Sequence, residues 1–126
     1  VVNEIAAKGE PLDWVEFYNL NADPIDLSGF FVADDLNDES KRVNFQEGTV
    51  IGPGEYLLVE FDKDAWPGFA LGGEEEFGVW TPEGTLVDSA DWSTGFSGAE
   101  GTYARLPDVF GSFMPGVTPT PGAPND

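Results

Sequence analysis

The sequence predicts an all-β fold, built as a sandwich or barrel of short strands. Apolar and polar residues alternate with a period of two over several short runs, which is typical of half-buried strands. The 16 glycines and 10 prolines are spread over the whole chain and separate these runs. No segment combines a helical period with helix start and stop signals. The 126 residues predict one domain, long enough to bury a core.

The clearest alternating run is Asp13 to Asn19. Together with the run from Ile25 to Phe30, it predicts a first core hairpin between Asp13 and Phe30. The inward-facing residues are predicted to be Val15, Phe17, Leu27, Phe30 and Val32. The opposite face of the first run carries Trp14, Glu16 and Tyr18, which we predict to be outer-face residues and a binding surface for a partner.

Further strands are predicted along the rest of the chain, giving about eight or nine in total. The segment from Pro115 to Asp126 contains four prolines, so it is not expected to pair in a central strand. We predict that residues 115–126 wrap the sandwich and lead into a linker. The other predicted strands are Val1–Ala6, Gly29–Asp34, Arg42–Gln46, Glu55–Phe61, Glu76–Thr81, Thr85–Ser89 and Thr102–Leu106.

The charge of the chain is strongly acidic. Asp and Glu number 24 against 5 Lys and Arg, and the formal net charge is −19. Such a surface repels nucleic-acid phosphate and anionic lipid and attracts cations or basic partners. The 40% hydrophobic content argues against a disordered chain. Without cysteine, neither a disulfide nor a thiolate metal site can form. No run is long enough to span a membrane, so insertion is not expected.

An ordered set of segments resembles the bacterial lamin-tail domain, the immunoglobulin-like module that also ends nuclear lamins. The segments are VVNEIAAKG, DWVEFYN, IDLSGFFVADD, GTVIGPGEYLLV, GTLVDSADW, GTYARLPD and TPTPGAPN. The resemblance implies an immunoglobulin-like β-sandwich over nearly the whole chain. It also implies a non-catalytic accessory module of exported or surface proteins, often beside hydrolases, nucleases or phosphatases.

Nucleic-acid binding, which is associated with lamin tails in animals, is not carried over to this chain. Its basic residues are too few for the positive footprint that phosphate recognition requires. They are Lys8, Lys41, Arg42, Lys63 and Arg105. We predict that Arg105, within the GTYARLPD segment, pairs with a carboxylate or with carbonyl groups near the C-terminal wrap.

The densest cluster of oxygen ligands is the acidic run after the predicted strand Gly29–Asp34. Calcium prefers six to eight oxygen ligands, and this run could supply several of them. Its spacing does not match an EF-hand loop. The alternative, a solvated acidic loop, is the more common role of such charge runs. The candidate metal ligands, with Ca²⁺ as the possible ion, are Asp34, Asp35, Asn37, Asp38 and Glu39.

Two further groups of acidic residues are weaker candidates for a functional site. Glu74, Glu75 and Glu76 are adjacent and suit water or a cation, although a solubilising loop is the simpler interpretation. Glu4 and Glu16 lie on neighbouring predicted strands, and retaining glycosidases use two carboxyl groups about 5 Å apart. Neither histidine nor cysteine is present to support catalysis, so we predict no enzyme activity.

Exposed aromatic side chains would make a platform for sugars. Trp14, Tyr18 and Phe31 fall on the outward phase of their strands, but aromatic residues are more commonly part of the core. The loop Trp66–Phe69 is predicted to cap the sandwich. The other tryptophans considered for the platform are Trp80 and Trp92.

The sequence therefore predicts a non-enzymatic interaction module within a larger protein. We expect an extracellular or cell-surface location, in a bacterium or archaeon, and association with a protein or cell-envelope component of basic character. The acid excess has two interpretations, adaptation to high salt and binding of divalent cations. The alternative function is a calcium-dependent carbohydrate-binding module.

Overall fold

The computed structural model describes residues 1–7, 12–71, 75–92 and 101–125. Within these residues no helix is long and apolar enough to cross a membrane. Eleven strands and one 3₁₀ turn, Glu39–Lys41, make up the described secondary structure. The strands are β1 (Val2–Ala6), β2 (Asp13–Tyr18), β3 (Ile25–Asp26), β4 (Phe31–Ala33), β5 (Val43–Asn44), β6 (Val50–Ile51), β7 (Tyr56–Phe61), β8 (Glu75–Trp80), β9 (Leu86–Trp92), β10 (Thr102–Leu106) and β11 (Ser112–Val117).

The strands form a sandwich of antiparallel sheets. The larger sheet has the order β11-β10-β1-β2-β7, and the opposing layer consists of the sheet β5-β4-β8-β9 and the two-stranded sheet β3-β6. The predicted all-β class and immunoglobulin-like sandwich are confirmed. The strand count exceeds the eight or nine predicted because β3 and β6 are only two residues long and β11 contains a proline. Such strands leave almost no alternating pattern in the sequence.

The core lies between the two layers. Val15 and Phe17 of β2 are buried in one cluster with Leu27 and Val32, and Phe30 packs against its edge. These are the residues predicted to point inward, so the alternation assigned the faces correctly. The centre is aromatic, because the ring of Phe77 on β8 lies 5.3 Å from that of Phe61 and 6.2 Å from that of Phe17.

The predicted first hairpin between Asp13 and Phe30 is wrong in its pairing. β2 pairs with β1 and β7, whereas β3 pairs with β6 in the opposing layer. Asn19 explains the change of direction, because its side chain donates to the carbonyls of Asp23 and Ile51 at 2.9 Å each. The loop after β2 is thereby fixed to the opposing layer. An Asn in a loop can do this, but the sequence does not show which carbonyls it will reach.

One ion pair joins the layers at the side formed by β9 and β10. Arg105 on β10 contacts Asp88 on β9 at 3.0 Å, and it donates to the carbonyls of Val2 and Gly111 at 2.8 and 3.0 Å. The Arg105 side chain is only 18% exposed, so solvent screens this pair less than a surface pair. The prediction that Arg105 pairs with a carboxylate is confirmed, whereas the carbonyls it contacts belong to Val2 and Gly111 and not to the C-terminal wrap.

Truncation of the aromatic centre should be costly. Phe77 is fully buried, so Phe77→Ala should lower the free energy of unfolding by about 3–5 kcal/mol through lost burial and the remaining cavity. Phe110→Ala is the matched control, because that ring is 79% exposed and should change stability by less than about 0.5 kcal/mol. Urea unfolding of both variants measures the difference, and equal losses would contradict this assignment of the core.

Candidate functional site

Two buried glutamates define an unusual cluster on the outer face of the larger sheet. Glu4 on β1 lies directly opposite Glu16 on β2, and both side chains are fully buried. A register shift between Val2 and Glu4 adds one residue, Asn3, to the β1 side. This bulge interrupts the alternation of β1 and places Asn3 beside the two carboxyl groups, where its amide donates to Glu16 at 3.3 Å.

The cover over this cluster is the C-terminal wrap, which we define as residues 118–125. The backbone N–H and the hydroxyl of Thr120 donate to the Glu4 carboxylate at 3.0 and 2.9 Å, and the N–H of Gly122 donates to Glu16. Gly122 has a φ of 76°, a backbone conformation that favours glycine. The wrap is therefore fastened to the sheet by hydrogen bonds to the two carboxylates.

The predicted extent of the wrap, residues 115–126, differs from the observed one at its start. Residues 115–117 belong to β11, because an edge strand tolerates a proline at an irregularity, and Pro115 lies at the register shift against β10. Asp126 lies outside the described residues.

Asp108 and Asn125 form the second part of the cluster. Asp108 accepts from the Asn3 amide at 3.0 Å, from the Asn125 N–H at 2.8 Å and from the Tyr56 hydroxyl at 2.6 Å. The Asn125 side chain donates to the carbonyls of Asn3 and Arg105 at 3.2 and 3.0 Å, and its Oδ1 lies 2.9 Å from the Thr120 hydroxyl oxygen. Each of these polar groups has a partner, as a buried network requires.

Burial controls the protonation of the cluster. Burial raises the pKa of Glu16 to about 7, and the nearby Glu4 and Asp108 carboxylates also raise it. The hydrogen bonds from Gly122 and Asn3 act in the opposite direction and lower this pKa. Burial also raises the pKa of Glu4, opposed chiefly by the hydrogen bonds from Thr120. Tyr56 has a raised pKa from burial and from its hydrogen bond to Asp108. The folded cluster therefore binds protons more tightly than the unfolded chain.

The predicted exposure of the binding surface is wrong for two of its three residues. Glu16 is fully buried and Trp14 is 8% exposed, whereas Tyr18 is half-buried. The face assignment was correct, but the wrap covers Glu16. The Tyr18 ring packs edge-on against Tyr56 with centroids 4.9 Å apart. A partner therefore cannot contact Glu16 without displacing the wrap.

The acidic loop after β4 is organised by local hydrogen bonds. Asp35 accepts from the Asn37 N–H at 2.9 Å and pairs with Lys41 at 3.5 Å. Asp38 accepts from the Ser40 N–H at 3.0 Å and caps the 3₁₀ turn. These are Asx-type interactions, which need no ion. No group of three or more acidic side chains suited to a metal was found in the described part of the chain, and the calcium site over Asp34, Asp35, Asn37, Asp38 and Glu39 stays a prediction.

The tryptophans do not form an exposed platform. Trp14, Trp80 and Trp92 are buried, and half-buried Trp66 donates from its indole N–H to the Asn44 carbonyl at 2.8 Å. Trp66 packs against the core ring of Phe61, with centroids 5.6 Å apart. Trp92 belongs to the core cluster and Trp66 packs against it, whereas Trp14 and Trp80 are buried outside that cluster. Of the acidic run from Glu74 to Glu76, Glu74 lies outside the described residues, and the Glu76 carboxylate accepts from the Leu36 N–H at 2.8 Å.

Sequence reasoning missed four members of the buried cluster. They are Asn3, Asp108, Thr120 and Asn125. One signal was available, since two polar residues, Asn3 and Glu4, interrupt an otherwise apolar strand. Adjacent polar residues in a strand indicate a bulge or a second covering layer, because strict alternation cannot place both on one face.

The raised pKa values predict that stability falls as pH rises. The folded pKa of Glu16 lies above its ordinary value of 4.5, so its contribution is complete below pH 4.5 and is lost as pH passes 7. The loss between pH 5.5 and 7.5 should be about 2 kcal/mol, and the chain has no histidine to titrate in this window. Glu16→Gln should flatten the profile of unfolding free energy between pH 5.5 and 7.5.

The groups facing Glu16 are Glu4, Asp108 and Tyr56, which come from three other segments and remain in the variant. Glu83→Gln is the control, because Glu83 is exposed in the turn between β8 and β9. Urea titrations at four pH values measure the slopes. Parallel profiles for wild type and Glu16→Gln would contradict the assignment.

Loss of Asn125 should loosen the wrap. Asn125→Ala removes the two hydrogen bonds that a buried side chain donates to backbone carbonyls, so the unfolding free energy should fall by about 2–3 kcal/mol. Amide exchange at Thr120 and Gly122 should accelerate because their carboxylate acceptors become open to water. Asn37→Ala, in an exposed loop, is the control. Unchanged exchange at both amides would argue against a fastening role.

The comparisons with known proteins agree with the fold. The sequence model of the Lamin Tail Domain matches residues 1–103. Neither a curated protein nor a solved structure matches the chain. The family is a non-enzymatic, immunoglobulin-like one, which indicates an interaction module. Because the match covers 103 of the 126 residues, the chain belongs to the lamin tail domain family.

Proposed function

We propose that the chain is a non-catalytic interaction module of a larger exported or surface protein, where it associates with a basic protein or cell-envelope component. The observation that carries the proposal is the use of the buried carboxylates. Glu4 and Glu16 are the pair best placed for acid–base chemistry, yet both are covered by the wrap and bonded to its backbone. A catalytic pair must reach its substrate.

The negative charge of the chain is a second observation that supports the proposal. The formal net charge is −19, and many acids lie on exposed loops and turns, such as Glu39, Glu47, Glu55 and Asp64. Complementary charge accelerates encounter and selects partners more than it sets affinity. The negative electrostatic field of these acids attracts basic polypeptides and repels nucleic acid and anionic lipid. The partner class we propose is therefore cationic.

Binding to model polycations tests this proposal. A blocked lysine-rich peptide should bind in calorimetric titration, and its affinity should fall about tenfold between 0.05 and 0.5 M NaCl as the charges are screened. A glutamate-rich peptide of equal length and a DNA duplex are the controls and should give no heat. Equal binding of all three ligands, or of none, would contradict the proposal. Recovery of the parent protein from the cytoplasm alone would contradict its exported or surface location.

One stability experiment distinguishes the calcium-dependent carbohydrate-binding alternative from the salt-adaptation interpretation. If the acid excess serves solubility at high salt, the melting temperature should rise with NaCl, and Ca²⁺ should add less than about 2 °C at fixed ionic strength. MgCl₂ at the same concentration is the control for general screening. A large stabilisation by millimolar Ca²⁺ in high NaCl, absent with Mg²⁺, would favour the loop containing Asp34–Glu39 as a calcium site.

A further inference from the structure

The free edge of β7 borders a groove. Within the described residues, β7 ends the larger sheet and pairs with β2 alone. A groove of about 410 Å³ runs beside it, with Leu57 and Val59 on one wall and Phe45 and Trp66 on the other. The groove therefore lies where the two layers of the sandwich open beside this edge.

The hydrogen-bonding groups of β7 alternate in direction. The Tyr18 N–H donates to the Val1 carbonyl, away from β7, whereas the Asn19 N–H donates to the Glu55 carbonyl, towards it. Tyr18 lies opposite Tyr56, and the register continues without a shift along the pair. In an antiparallel pair only alternate residues bond to each other. The N–H and C=O groups of Tyr56, and by the same alternation those of Leu58 and Glu60, therefore point away from β2.

The other long edge strands carry devices that hinder pairing. β11 contains Pro115 and a register shift against β10. β9 has a register shift against β8, and its Asp88 is bound to Arg105 and to the Val2 N–H on the neighbouring layer. The remaining edge strands are two residues long. β7 combines six residues with an unbroken register and no proline, which makes it the regular edge among the described strands.

The side chains around this edge specify the pattern of an added strand. Its inward positions would meet the apolar walls of the groove. Its outward positions would lie beside Leu58 and Glu60, since side chains alternate across a strand. Acids dominate the rim, where Asp62 lines the groove and Lys63 is flanked by Asp62 and Asp64. Aliphatic residues alternating with lysine or arginine would satisfy both faces.

We propose that β7 takes an extended segment of a partner polypeptide as a sixth strand, with aliphatic residues facing the groove and basic residues facing solvent. The segment would be about six residues long, to match the strand. A second copy of this chain does not fit, because each copy carries a net charge of −19 and five basic residues. The inference rests on the proposed function, since it names the site and partner class of the interaction module.

Two peptides of equal composition test the pattern. One is a blocked hexapeptide of alternating valine and lysine, and the other has three valines followed by three lysines. In ¹H–¹⁵N NMR titrations the alternating peptide should shift β7 amides and protect Leu58 and Glu60 from exchange. The segregated peptide should bind about tenfold more weakly, because in either phase it places at least one valine and one lysine on the wrong face.

Matched variants test the backbone contact. Leu58→Pro removes an N–H that points away from β2, so the fold should persist while peptide affinity falls about tenfold. Leu58→Ala trims the same 41%-exposed side chain but keeps the N–H, and it should bind within about threefold of wild type. Glu60→Lys should weaken binding about fivefold, whereas Glu83→Lys, on the turn between β8 and β9, should have no effect.

The outcomes separate this inference from the proposed function. Equal binding of both peptides with shifts spread over the acidic surface, or equal affinity of Leu58→Pro and Leu58→Ala, would overturn the edge site and leave a cation-binding module. Dimerisation through β7 in sedimentation would overturn the heterologous partner. Absence of binding by either peptide would overturn the edge site, and if lysine-rich peptides also fail to bind, the proposed function fails with it.

Discussion

The burial of two carboxylates on one sheet face is the constraint on which the rest of this domain depends. An ionised carboxylate removed from water costs several kcal/mol unless hydrogen-bond donors replace the lost hydration. Glu4 and Glu16 obtain those donors chiefly from the backbone of the C-terminal wrap, at Thr120 and Gly122. Without the wrap, the outer face of the larger sheet would carry hydrated acids and remain open. With it, the outer face is covered at Glu4 and Glu16, on β1 and β2.

This arrangement links distant parts of the chain. Glu16 and Gly122 are separated by 106 residues, and Asn125 reaches the backbone of both Asn3 on β1 and Arg105 on β10. The Arg105 carbonyl accepts from Asn125 and the Arg105 guanidinium pairs with Asp88 on β9, so the ion pair between the layers and the fastening of the wrap share one residue. Contacts of such sequence separation form late and are costly in chain entropy. Loosening of the wrap should therefore also weaken the contact between the layers at the Arg105–Asp88 ion pair.

The alternation in β2 was sufficient to predict that Val15 and Phe17 enter the core and that Glu16 faces away from it. It could not predict the burial of Glu16, because periodicity assigns a residue to a face and carries no information on what covers that face. The pairing of β3 with β6 was missed for a related reason. Two-residue strands have no period, and the side chain that redirects the loop, Asn19, acts through carbonyls distant in sequence. The local sequence pattern thus predicts which residues face the core, whereas long-range hydrogen bonds determine what covers the outer face.

The wrap covers the outer face at β1 and β2, in the middle of the larger sheet, so the edges of the sheet are the places where another chain could add. β11 is protected at one edge by Pro115 and its register shift, whereas β7 at the other edge is regular. Exposed regular edges normally favour self-association. Here each copy carries a net charge of −19, so electrostatic repulsion opposes pairing of β7 with a second copy of the chain. A basic strand would not be repelled in this way. If β7 takes a basic strand as proposed, the acid excess and the regular edge act together in specificity, and neither alone would select a partner.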